Sequence, residues 1–216
     1  MNHRRRPTLR LSAALAVLAL AVTACAAGAN GSAGGGAGSG AGGGSRAGSE
    51  TPPGPLVPPA QAVQKLDSLL DEAMSGVQPA LHYRDAWPQA TVQYSKGLDE
   101  HSLGYATASR QRHVMTRIAP GKYGALLDAV RGTWSAKGYR IDAGPANLQA
   151  LFATTAEGHG VSVTIHPAGN IDFGATVGPV AVPDGRDLFG TPTPEPVTTG
   201  GSPDVLPTDE DPYWSS

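Results

Sequence analysis

The alternation of apolar and polar residues between Val161 and Val177 constrains this chain more than any other feature. Val161, Val163 and Ile165 alternate with Ser162, Thr164 and His166. After Pro167-Ala168-Gly169-Asn170, Ile171, Phe173, Ala175 and Val177 alternate with Asp172, Gly174 and Thr176. A period of two sends each set to one face of a sheet, and the Pro/Gly/Asn turn makes the two segments antiparallel neighbours. Residues 148–155 read as a third strand, returned by a turn at Glu157-Gly158. The result is an antiparallel meander with one buried and one wet face. So small a sheet is marginal alone, and its apolar face must be covered.

Two helical segments can supply the cover. Pro58 and Pro59 prepare a helix start. Val63, Leu66, Leu69, Leu70, Ala73, Met74 and Val77 then recur at spacings of three and four until Gly76 and Pro79 end the pattern. Tyr123, Leu126, Leu127, Val130 and Trp134 form a second face, capped by Lys137-Gly138. Between the helices, residues 90–94 and 110–118 have strand propensity, and 96–104 reads as a loop. The expected fold class is α+β over residues 60–180: two layers, with two helices packed on an antiparallel sheet of about four to five strands.

The rest of the chain cannot build a core. Residues 26–50 contain 11 glycines, with Ala and Ser making up most of the remainder. There is too little apolar surface there to offset chain entropy. Residues 51–59, TPPGPLVPP, favour polyproline geometry. As a coil, residues 26–59 would average about 32 Å end to end, and fully stretched about 115 Å. Residues 181–216 hold seven prolines and the acids Asp204, Asp209, Glu210 and Asp211, and are expected to be a disordered tail.

Residues 1–24 read as an export signal. Arg4, Arg5, Arg6 and Arg10 precede LSAALAVLALAVTA, an uncharged apolar run too short for a comfortable membrane span. Arg5-Arg6-Pro7-Thr8-Leu9 partly resembles a twin-arginine signal but departs from it at Thr8, so a generic basic leader is preferred. Val22-Thr23-Ala24-Cys25 resembles a lipobox, and Cys25 is the chain's single cysteine. The resemblance implies that the Cys25 thiol receives diacylglycerol and that cleavage falls between Ala24 and Cys25. Ordinary signal-peptidase cleavage after Ala24 is the alternative, since Val22 and Ala24 are small. Two acyl chains would make the anchor stable, at about 0.8 kcal/mol per buried CH₂.

This leader, the tether and the phrases HVMTRIAPGKYGALLDAVRGTWSAKGYRI and LFATTAEGHGVSVTIHPAGNIDFGA resemble small membrane-anchored lipoproteins of high-GC Gram-positive (actinobacterial) bacteria. The phrases are packing patterns, so the resemblance implies location and fold and transfers no functional residue.

Charge narrows the partners. Without residues 1–24 the chain carries 12 basic and 18 acidic residues. That balance argues against non-specific nucleic-acid binding. With one cysteine there is neither an internal disulfide nor a Cys-based zinc site. No G-x-S-x-G, phosphate loop or H-E-x-x-H occurs, so no catalytic residue, metal site or cofactor is assigned. Asp99-Glu100-His101 reads as a solvated turn, and His159 and His166 as surface histidines able to serve as acid or base.

Three residues are candidates for binding. Arg110 and Arg112 share one face of a strand and could receive a phosphate, a carboxylate or an anionic wall polymer. Against this, residues 60–180 hold 10 basic and 10 acidic residues, which favours pairing within the domain. Trp87, in His82-Tyr83-Arg84-Asp85-Ala86-Trp87, would suit a sugar or partner protein if exposed, and the core otherwise. The sequence therefore points to a tethered, non-catalytic envelope lipoprotein whose domain binds a partner protein or wall ligand. A membrane-surface enzyme using histidine acid/base chemistry and a purely structural protein are the alternatives.

Overall fold

The computed structural model describes residues 51–96, 100–142, 144–145, 148–183, 187–201 and 204–216. The leader, Ala24, Cys25, the Gly-rich stretch 26–50 and Asp99 lie outside the described residues.

The chain runs α1 (Pro59–Met74), β1 (Tyr83–Asp85), β2 (Gln89–Tyr94), β3 (Ser102–Val114), a 3₁₀ turn, α2 (Tyr123–Ala136), β4 (Arg140–Asp142), β5 (Gln149–Thr154), β6 (Gly160–Ile165) and β7 (Ile171–Ala181). Both expected helices form where the apolar spacing puts them. Pro59 occupies the first turn of α1, where its missing N–H costs nothing. Gly138 ends α2 at φ +72°, and the Tyr139 amide reaches back to the Trp134 carbonyl at 2.9 Å.

The class is α+β, but the sheet has seven strands rather than four to five. The order is β1-β3-β7-β6-β5-β4, with β2 also on β3, and every pairing is antiparallel. The unforeseen strands are β1 and β4, three residues each and rich in charge (Tyr83-Arg84-Asp85, Arg140-Ile141-Asp142). Three residues are too few for alternation to register. β3 also starts within the stretch read as a loop. It is long enough to take β1 opposite Arg112–Val114 and β2 opposite Ser102–Ser109 on the same edge. β1 and β2 are thus one strand interrupted at Ala86-Trp87-Pro88, where Pro88 has no N–H to give a ladder.

The meander β5-β6-β7 forms as expected, and β7 then pairs with β3, joining the two halves of the sheet. The helices cover one face. α1 lies against β3 and β7, and α2 against β4 and β5. Leu66, Leu70, Leu126, Val130, Trp134, Val163, Phe173 and Val177 fill the space between. The helices meet where Trp134 Nε1 donates to the Ala73 carbonyl at 3.2 Å. Gly76 lies against Thr133 so closely that a β-carbon there would stand 1.7 Å from Thr133 Oγ1.

Both flanks depart from expectation. In the tether, Val57 is extended and bridges Val180: its amide donates to Pro179 and its carbonyl accepts from Ala181, both at 2.9 Å. In the tail, residues 204–216 pack on the domain instead of remaining disordered. The amides of Thr208 and Asp209 donate to the Met115 carbonyl, and Arg117 N donates to Asp209 O. Trp214 is 1% exposed and belongs to the core. Its Nε1 donates to the Pro79 carbonyl at 2.8 Å, so its polar atom is satisfied as well as its apolar surface. Among the described residues no helix is long and apolar enough to cross a membrane.

Candidate ligand-binding site

Arg110 and Arg112 do share a face, but it is the helix-facing one. Two residues of strand advance about 6.8 Å and four residues of helix about 6 Å, so an i, i+2 pair on β3 can match an i, i+4 pair on α1. Arg110 Nη1 meets Asp67 Oδ1 at 2.5 Å, and Arg112 Nη1 meets Asp71 Oδ1 at 2.8 Å. Arg112 Nε also donates to Asp85 at 2.7 Å, its guanidinium stacks 3.8 Å from the centre of the Tyr83 ring, and the residue is only 3% exposed. Burial opposes its charge, yet the hydrogen bonds to Asp85 and Asp71 outweigh burial and hold its pKa above the ordinary arginine value. The two arginines thus sit in a closed intramolecular network, as pairing within the domain requires. The charge balance of the domain was the better guide. Trp87 is partly exposed, and its amide donates to Glu195 at 3.3 Å.

The opposite sheet face carries a histidine cluster. His113 and Asp172 are cross-strand partners, with His113 Nδ1 2.7 Å from Asp172 Oδ1. His166 Nε2, just past β6, lies 2.9 Å from Asp172 Oδ2. One carboxylate thus orients two rings. Among the described residues no group of three or more His, Cys, Asp or Glu side chains is placed to hold a metal ion.

A concavity of about 600 Å³ opens on the helix side. It exists because β6 covers only part of β7. Gly160, the first residue of β6, lies opposite Thr176, and the same edge is taken up again by Val57 opposite Val180. Val57 and Val177 line the gap. Gln61, Gln64, Lys65 and Ser68 face it from α1, at helical spacings of three, one and three. Glu157 and His159 come from the β5–β6 turn. The two charged groups of this lining close on each other, Lys65 Nζ to Glu157 Oε2 at 2.6 Å. His159 Nε2 lies 3.4 Å from the same oxygen.

The electrostatics follow from this chain of contacts. Burial, then the nearby Lys65 charge, holds the His159 pKa below the ordinary histidine value. The Lys65 hydrogen bond holds Glu157 below the usual carboxylate range. The site thus holds a paired cation and anion beside an imidazole whose protonation burial disfavours. Ser68 Oγ donates to Glu72 at 3.4 Å, on its own helix. Of these residues the sequence singled out only His159. Gln61, Gln64, Lys65 and Ser68 carry no signal in the sequence, and only the return of Val57 to the sheet makes their face one wall of a hollow. Comparison of the chain with protein families, with curated proteins and with solved structures finds no match.

Proposed function

We propose that this chain is a cell-envelope lipoprotein, held at the extracytoplasmic face of the membrane by lipid on Cys25. Its α+β domain is a non-catalytic module for a partner protein or wall ligand. The lipobox and the Gly-rich tether support the location, as does the resemblance to actinobacterial lipoproteins. The observation that carries the binding reading is the open hollow beside α1, whose charged groups neutralise each other instead of standing poised for chemistry. One observation favours the enzymatic alternative: His159 lines the hollow with its Nε2 3.4 Å from the Glu157 carboxylate, a neighbour that a general base would use.

Both parts are open to test. Cells fed a labelled fatty acid should label the wild-type chain and not Cys25→Ser; label on the mutant would sink the anchor. Incubating the protein with purified wall material should release no product. Release that His159→Gln abolishes would replace the binding module with an enzyme.

A further inference from the structure

The hollow beside α1 also has a chemical preference. Its lining carries one cation and one anion, already joined at 2.6 Å. An anionic ligand must compete with Glu157 for Lys65, and a cationic one with Lys65 for Glu157. The groups left over are uncharged. Gln61 and Gln64 are exposed, and neither amide has a side-chain hydrogen bond among the described residues. Each amide offers an acceptor oxygen and a two-proton donor, the complement of another amide group. They stand three residues apart on one helix face, with the Ser68 hydroxyl one turn beyond Gln64. Val57, partly exposed, adds an aliphatic surface.

A peptide adding as a strand would need free main-chain groups on the edge of β7. Val57 already takes the Pro179 carbonyl and the Ala181 amide there. Recognition at this position falls to side chains. The ligand that fits is polar, neutral, rich in amides and hydroxyls, and has small apolar faces. We propose that the hollow binds an uncharged N-acetylated saccharide, its acetamido groups on Gln61 and Gln64 and its C–H face on Val57. This rests on reading the domain as a binding module.

The test is an NMR titration of the ¹⁵N-labelled full chain carrying Cys25→Ser, with triacetylchitotriose as the probe. Maltotriose, inorganic phosphate and a short alanyl peptide are the comparators. Amides of residues 61–68 and of Val177 should shift saturably with triacetylchitotriose. Gln64→Ala, a surface change, should weaken that binding roughly three- to tenfold, the loss of one hydrogen-bonding group. Arg131→Ala, on the exposed face of α2, should leave it unchanged. Equal binding of maltotriose would overturn the acetamido assignment, and tighter binding of phosphate at the same residues would overturn the neutral-ligand argument. If the alanyl peptide alone moves these residues, the saccharide falls and the binding module stands. If no probe moves them, the saccharide falls and the hollow no longer supports the module.

Discussion

The two flanks of the domain both lack a helical or strand period and differ in how they are held. Residues 51–58 and 204–216 are both proline-bearing, both lie outside the periodic pattern, and each makes one isolated parallel bridge, Val57 to Val180 and Thr116 to Asp209. The first flank adds only a partly buried side chain to its backbone pairing: Val57 fills an edge position against the core while Leu56 beside it is 44% exposed. The second adds a side chain that enters the core. Asp211 Oδ1 accepts from the Tyr213 and Trp214 amides, which tightens the turn before the end and aims Trp214 inward. Ala119 N donates to Trp214 O, and Ser215 Oγ to Arg117 O. A low-complexity flank is fixed by one large apolar residue with a partner for its polar atom, and composition averages do not see single residues.

The contrast breaks most visibly at Trp214. Trp214→Ala should cost about 3–5 kcal/mol, the range for emptying a large aromatic site, measured as a drop in the denaturation midpoint. A loss under about 1 kcal/mol would mean that the tail is not part of the folded core. The first flank should respond far less. Val57→Pro removes the N–H that meets Pro179 and should cost about 1 kcal/mol, with faster hydrogen exchange at the Ala181 amide. An effect as large as that of Trp214→Ala would show that the two flanks are held alike.

The smallest effect concerns acid. Asp209 is hydrogen-bonded by Thr208 and paired with His82 at 3.1 Å, and its pKa lies below the usual aspartate value. A carboxylate depressed in the fold stabilises above its unfolded pKa, and that stabilisation is lost as pH falls through the lower, folded pKa. Hydrogen exchange at Arg117 N, which donates to Asp209 O, should accelerate below about pH 4, the ordinary aspartate range. Exchange at Ala181 N should not follow it. Asp209→Asn should remove the dependence. The pair is exposed, so solvent screens it and the change should be smaller than that of either substitution above. A matching response at Ala181 would point to the whole domain rather than the tail.

Legibility in the sequence tracks distance along the chain. α1, α2 and the meander β5-β6-β7 were readable because each rests on a local period, 3.6 or two, and on turns such as Lys137-Gly138 and Pro167-Ala168-Gly169-Asn170. The pairing of β3 with β7 was not, since it joins His113 to Asp172 across 59 positions. The candidate site divides in the same way. His159 stood out by its glycine-flanked turn, while its neighbours on α1 carried no signal.

The sequence by itself determined the α+β class, the two helices and the one-sided sheet, because burial of periodic apolar residues leaves few other solutions. It also carries the case for an anchor at Cys25. Tertiary structure alone decided that Arg110 and Arg112 turn inward to Asp67, Asp71 and Asp85, and that Trp214 completes the core. It also decided that Val57 bounds a hollow beside α1. Each of these depends on where distant segments come to rest, and a buried charge or ring takes whatever partner the fold brings within reach.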